Sequence, residues 1–418
     1  MEIAPRKTIK LDVEVSPDKS ITHRAIMLNS IAEGKAKITN ALLGDDCKTT
    51  IECMRALGAE ITVEDSTVTV KGSSKLSSCK LDAKNSGTTM RLLSGLLCSQ
   101  SGTFEIDGDE SLRRRPMKRI IEPLQMMRAD IGSSDGEHAP IMINGKKLKG
   151  ISYRMPIASA QVKSSILLAG LGADGITTVH EKLRTRNHTE IMLNAMNAKI
   201  WMENYSVSVM RSKLTATNVC VPGDISSGAY PLVLGAMLGG EVTVRNVGVN
   251  TTRTGILTVL QECGVDLTIE PKRGNVEKIA DVTLRVNKKL KPFAIGKELI
   301  PFLIDEIPVL AVLATCIDGE SVISGAEELR VKESNRIDAT VEMLTLMGAD
   351  VESRTDGMII HGGKKLKGGC TINPRGDHRI AMSAAVAGCA SQKGIELLNP
   401  ECVKISYPNF FEMLAKVE

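Results

Sequence analysis

Two carboxylates stand where carboxylates are costly. Asp305 and Glu306 interrupt an otherwise apolar run from Leu299 to Leu313, and an ionised carboxylate in such a run has to be paired or has to face a site. Further along, Lys332 and Arg336 are four apart and Glu333 is three from Arg336, so a helix there would put all three on one side. With Asp305 they read as an acid/base pair ringed by cations, which suits proton transfer on a polyanionic substrate. A surface ion-pair network fits the 332–336 cluster as well.

Similar polar groups recur where helices should begin. Near the start, Pro17 and Asp18 suit a turn and a helix cap. Lys19 then falls at the helix mouth, where backbone N–H groups favour an anion, and Ser20 and Arg24 share one face. Ile21, Ala25, Leu28 and Ala32 repeat at helical spacing and predict one buried stripe. K-N-S-G-T-T-M-R (84–91) offers Gly87 for close backbone approach and Thr88 as a hydroxyl. The runs L-R-R-R-P (112–116), S-A-Q-V-K-S-S (159–165), R-T-R-N-H (184–188) and G-D-H-R-I-A-M (376–382) follow. Taken singly, each has a plainer reading. Arg113–Arg115 fits a solvated turn, His378 a structural hydrogen-bonder, and Asn85-Ser86-Gly87 a loop and helix cap.

The elements that position these groups form a repeat. Apolar, small-residue helices end at Gly34, Gly102, Gly175, Gly240, Gly319 and Gly394, each followed by a short strand. A second helix follows and ends at L-G-A-E-I (57–61), M-R-A-D-I (127–131), M-N-A-K-I (196–200), C-G-V-D-L (263–267) and M-G-A-D-V (347–351), before another strand. By subtraction the first anchors lie 65 to 79 residues apart, longer than solenoid repeats of roughly 20–50 residues. Strands alternating with helices predict an α/β fold with helix-covered sheets. Six copies with a break near Val221-Pro222-Gly223-Asp224 predict two halves of three modules, with a ligand site in the cleft between them.

Composition narrows the functions. The 418 residues hold 42% hydrophobic and 24% charged residues with a net charge of +4, and only five Phe, four Tyr and one Trp. Few rings and a mild charge disfavour nucleic-acid binding by base stacking. Ten cysteines without a C-x-x-C pair, and six histidines without H-x-x-x-H, disfavour zinc and fit free thiols in a reducing compartment. No signal core, transit peptide or 18-residue apolar run is visible, so a cytoplasmic protein that neither crosses nor binds a membrane is expected. Neither G-x-x-x-x-G-K-[ST] nor G-x-S-x-G occurs, and the G-x-G-x-x-G run at 170–175 ends an apolar helix pattern instead of opening a helix after a strand, which leaves ATP, NAD and serine-hydrolase chemistry unsupported.

The motifs P-D-K-S-I-T-H-R, N-S-G-T-T-M-R, S-A-Q-V-K-S, E-L-R-V-K-E-S-N-R and D-H-R-I-A-M, in that order, resemble the EPSP synthase (3-phosphoshikimate 1-carboxyvinyltransferase) family over essentially the whole chain. The S-A-Q wording resembles its class II branch. The resemblance implies the enolpyruvyl transferase fold, an inside-out α/β barrel of two similar domains, each of three βαβαββ modules. It also assigns the extreme N-terminal strand to the second domain, giving 16–222 as the first and 1–15 with 223–418 as the second. The implied reaction moves the enolpyruvyl group of phosphoenolpyruvate to the 5-hydroxyl of shikimate 3-phosphate and releases phosphate, without a metal or organic cofactor, in a monomer. Carried over by motif, Lys19, Ser20, Arg24, Ser159, Gln161, Arg186, Asp305 and Lys332 hold shikimate 3-phosphate. Lys19, Gly87, Arg115, Gln161, Arg336 and Arg379 hold phosphoenolpyruvate. Asp305, Glu333 and Lys19 carry the proton transfers. Two departures from the family pattern stand out: Ala160 replaces a hydroxyl, and Ile405 sits where many members have a phosphate-binding Lys, with Lys404 one residue away. Two alternatives stay on the table. UDP-N-acetylglucosamine carboxyvinyltransferase would require a K-N start and a loop Cys near residue 115, and a non-catalytic repeat scaffold would leave Asp305 and Glu333 without purpose.

Overall fold

A computed structural model describes residues 1–73 and 75–417. The chain divides into two units, one of Met1–Ser16, Pro222–Gly274 and Lys278–Glu418, the other of Pro17–Val221 and Asn275–Glu277. Each has its own apolar core.

The repeated module is a strand, an inner helix, a parallel strand, an outer helix and an antiparallel hairpin. Cys79–Asp82 leads through a helix at Gly87–Cys98 to the parallel strand Gly102–Asp107, which then pairs antiparallel with Ile141–Gly145, and that strand with Asp130–Ser133. The same order recurs around Ile176–His180 and Gly319–Ile323. Around Ile395–Leu397 the sheet has three strands, the third being Glu2–Ile3 from the chain start.

In two modules the edge strands are exchanged. The strand just before the first inner helix, Lys10–Glu14, pairs parallel with Glu241–Gly248. The strand before the fourth inner helix, Val219–Cys220, pairs parallel with Lys35–Thr39. Each unit's sheets are therefore completed by a segment that lies before or after the bulk of that unit in sequence.

The six inner helices are α1 (Lys19–Asn29), α2 (Gly87–Cys98), α3 (Ala160–Gly170), α4 (Ile225–Leu238), α5 (Ile307–Thr315) and α6 (His378–Ala390). The expected single stripe on α1 is not what forms. Every residue from Ile21 to Asn29 is buried, Thr22, His23, Arg24 and Asn29 included. The helix is enclosed on all sides, and its buried polar side chains each make a hydrogen bond inside the unit, His23 through Nδ1. It also ends at Asn29, so Ala32 packs from the following turn.

The second-helix anchors share one cap geometry. Gly58, Arg128, Asn197, Gly264 and Gly348 all have φ between 63° and 106°. The next residue's N–H then reaches back to a carbonyl five positions earlier, as in Ala59 to Met54 and Ala129 to Leu124, both at 3.0 Å. This is the Schellman closure, and Arg128 and Asn197 adopt it without being glycine. One first anchor needs correction. The left-handed residue ending α4 is Gly239 (φ 71°), not Gly240. Gly240 is required for another reason, since a Cβ there would lie 1.9 Å from the Ile9 carbonyl oxygen.

Candidate active site

Helix starts supply most of the chemistry in the unit built on Pro17–Val221. Asp18 caps α1 by accepting from Ile21 N at 2.8 Å, which fixes Lys19 as the first helical residue. Lys19 Nζ pairs with Asp46 of the neighbouring helix Asp45–Ala56 at 3.1 Å. One turn on, Arg24 is buried and donates to Thr189 Oγ1 (2.7 Å), Ser164 Oγ (2.9 Å) and the Ser20 carbonyl (3.1 Å). Burial, with Arg186 as a like charge nearby, brings the Arg24 guanidinium down to about 10, while Glu190 and Asp18 work the other way. It stays charged at neutral pH, held mainly by neutral oxygens. An arriving phosphate would find a poorly neutralised cation there.

Ser86 caps α2, so Gly87 is the first helical residue, and Arg91 one turn later donates to Gln161 Oε1 at 2.7 Å. Gln161 in turn donates to Thr88 Oγ1 at 3.1 Å. The amide thus links the first turns of α2 and α3. The helices approach closely because residue 95 has no side chain; a Cβ there would fall 2.0 Å from the Ser165 carbonyl oxygen. Ser159 caps α3, accepting from Val162 N at 3.4 Å. The three arginines of 113–115 divide. Arg113 and Arg114 are exposed and paired with Asp107 and Glu110, while Arg115 is buried and donates to Asn85 Oδ1 at 2.7 Å. Gly87 lies between the guanidinia of Arg91 and Arg115, 3.0 and 3.4 Å from where its Cβ would be.

The other unit carries the carboxylates. Asp305 ends the turn before α5, partly exposed, and Glu306 beside it is buried. The expected helix through 332–336 is not there. Lys332 is extended after the 3₁₀ turn Glu327–Val331, and a helix begins only at Arg336, because the Asn335 side chain caps it by accepting from Asp338 N. The residues still converge. Arg336, 2% exposed, donates to Asp305 Oδ1 (3.1 Å), Glu333 Oε2 (2.7 Å) and Asp377 Oδ2 (2.8 Å). Burial opposes its charge, yet Asp377, Glu333 and Asp305 hold its pKa above the ordinary arginine value. Burial lowers Lys332, with Arg336 adding to that and Asp305 and Glu333 opposing it. Asp377 caps α6, accepting from Arg379 N at 2.9 Å, and Arg379 donates to the Tyr230 hydroxyl at 3.5 Å.

Within their own units, therefore, Lys19, Ser20 and Arg24 share α1, Gly87, Gln161 and Arg115 are linked through Arg91 and Asn85, and Asp305, Glu333 and Arg336 meet directly. Arg186 lies in the loop before the helix His188–Ala195 and bears on Arg24. Lys404 is exposed on the 3₁₀ segment Pro400–Ile405, and Ile405 is half-buried. Sequence reasoning left out Asp46, Arg91, Tyr230, Arg253 and Asp377. Arg91 and Asp377 stood inside quoted motifs; Asp46, Tyr230 and Arg253 carried no motif signal. Among the described residues no group of three or more His, Cys, Asp or Glu is disposed to hold a metal ion, and no helix is long and apolar enough to cross a membrane.

A family model described as EPSP synthase (3-phosphoshikimate 1-carboxyvinyltransferase) matches residues 3–414. The chain belongs to this family. It is 48% identical over 418 residues to the 3-phosphoshikimate 1-carboxyvinyltransferase of Thermoanaerobacter sp. (strain X514), covering 99% of this chain and 98% of that one. It is 44% identical over 419 residues to that of Bacillus subtilis (strain 168), covering 98% of each. An EPSP synthase structure from Acinetobacter baumannii superposes with a TM-score of 0.88 at 40% identity, covering 100% of this chain and 97% of that one. The fold is accordingly that of the EPSP synthases.

Proposed function

We propose that the two polar sets act together on one pair of substrates. The family's reaction transfers the enolpyruvyl group of phosphoenolpyruvate to the 5-hydroxyl of shikimate 3-phosphate, a step of the shikimate pathway, and releases phosphate. Ser20, Arg24, Ser159, Gln161, Arg186 and Lys332 hold shikimate 3-phosphate. Gly87, Gln161, Arg115, Arg336 and Arg379 hold phosphoenolpyruvate, and Lys19 serves both. Two phosphates and two carboxylates require this density of cations, and arginine forks match their geometry.

Arg336 is the observation that carries the reading. One buried guanidinium bonds both carboxylates assigned to proton transfer, Asp305 and Glu333, and a third in Asp377. A substrate carboxylate arriving at Arg336 displaces the single 3.1 Å bond from Nη1 to Asp305. Asp305 then accepts the 5-hydroxyl proton as that oxygen attacks C2, while Glu333 with Lys19 gives a proton to C3. Loss of phosphate and of one C3 proton, handled by Glu333 with Lys19, restores the double bond. The enzyme works as a cytoplasmic monomer, which sedimentation with and without substrates tests. Release of phosphate from phosphoenolpyruvate only when shikimate 3-phosphate is added is the expected result; release without it, or none with both, refutes the assignment.

A further inference from the structure

Beside Asp305 lies a carboxylate the reaction above does not use. Glu306 is 1% exposed and sits just before α5, its carbonyl accepting from Leu310 N at 3.0 Å. Its Oε1 accepts from Ser226 Oγ. Ser226 in turn accepts from Arg253 Nη2 at 2.7 Å, and the same nitrogen donates to Asp224 Oδ1 at 2.9 Å. Asp224 caps α4 by accepting from Ser226 N at 2.9 Å. All four side chains are buried. An unbroken chain thus runs from the cap of α4 to the residue next to Asp305.

A buried charged network of this kind is costly to assemble, and replacing it by apolar groups is often neutral for stability. A purely structural role is better served by a neutral side chain. Glu306 supplies charge next to the reacting groups. Arg379 lies in a field set by Tyr230, Asp305, Asp224 and Glu306, which together offset its burial. We propose that Glu306 is a positioning residue of the reaction: through Ser226 and Arg253 it ties the turn carrying Asp305 to the start of α4, where Tyr230 one turn along accepts from Arg379, a residue that holds phosphoenolpyruvate. The inference rests on the roles given to Asp305 and Arg379 above.

The test compares Glu306→Gln, Ser226→Ala and wild type by steady-state phosphate release, with the KM of each substrate and the thermal midpoint measured. Glu306→Gln keeps shape and hydrogen bonding but removes the charge. It should raise the KM for phosphoenolpyruvate about tenfold and lower kcat, with the KM for shikimate 3-phosphate within about twofold of wild type. Ser226→Ala keeps the charge and cuts the tie, so it should lower kcat with a smaller rise in that KM. Should Glu306→Gln fail to fold, Ser226→Ala carries the test through kcat. Wild-type kinetics in the variants overturn the proposal, as does a parallel rise in both KM values that tracks a fall in thermal midpoint. A wild type that releases no phosphate with both substrates overturns the underlying assignment as well, and that failure shows before any variant is compared.

Discussion

Gly87→Ala tests whether the guanidinia of Arg91 and Arg115 form the seat of phosphoenolpyruvate. Gly87 begins α2 with an ordinary helical backbone, so alanine adds no strain there and the thermal midpoint should hold. The added methyl would sit 3.0 Å from Arg91 Nη1 and 3.4 Å from Arg115 Nη1. The first distance is too short, and Arg91 has to give by a few tenths of an ångström. It cannot swing aside freely, because it is buried and bonded to Gln161 at 2.7 Å. Weakening that charge-assisted bond costs about 1–2 kcal/mol, which is roughly a tenfold or somewhat larger loss in kcat/KM for phosphoenolpyruvate. The KM for shikimate 3-phosphate should rise less, since of the residues assigned to it only Gln161 is disturbed while Arg24 and its partners are untouched. Glyphosate, expected in the same seat and longer than the substrate, should lose more affinity than phosphoenolpyruvate does. The assay is phosphate release at varied concentrations of each substrate, with and without inhibitor. An unchanged KM for phosphoenolpyruvate, or equal losses for both substrates, refutes the steric argument.

Three further outcomes follow from the same geometry. His23 is buried, and burial together with Lys19 and Arg24 holds its pKa well below 6.5; the unfolded chain therefore takes up the proton first, and stability should fall as pH drops below about 6.5, by up to about 1.4 kcal/mol per pH unit. Thermal midpoints between pH 8 and 5 check this, and His23→Gln should flatten the slope. Because burial lowers Lys332, its charge is lost on the alkaline side below the usual lysine range, and the KM for shikimate 3-phosphate should rise there; Lys332→Arg should carry that rise to higher pH, and an unmoved limb would count against the contact. Asp305→Asn should lose about 10²-fold or more in turnover while still binding both substrates, whereas Glu333→Gln should suppress entry of solvent deuterium at C3; normal exchange in Glu333→Gln with none in Asp305→Asn would reverse their roles.

What could be read from the chain depended on whether one residue type was forced by local geometry. A left-handed helix end favours glycine strongly, so Gly58, Gly264 and Gly348 announced the repeat, and Arg128 and Asn197 were recognisable only by their place in it. The exchange of edge strands leaves no such mark. Lys10–Glu14 and Val219–Cys220 are ordinary short strands, and which sheet each joins is settled by pairing at long range.

The same distinction separates the chemical groups. The charges that sequence reasoning selected are those that break an apolar pattern, such as Asp305, or that cluster, such as Lys332, Glu333 and Arg336. Grouping the latter on one helix was wrong in geometry, because Asn335 caps the helix at Arg336. It was right in contact, because Arg336 Nη2 still reaches Glu333 at 2.7 Å. The missed residues are partners, not breakers of a pattern. Arg253 belongs with Ser226 and Glu306 only once α4 and α5 have folded, and Asp46 belongs with Lys19 only once the second helix packs on α1. Motifs mark the groups proposed to touch substrate, and folding selects the groups that aim them. Glu306 belongs to the second kind although it too interrupts the apolar run, which is why its variant should move one KM and leave the other.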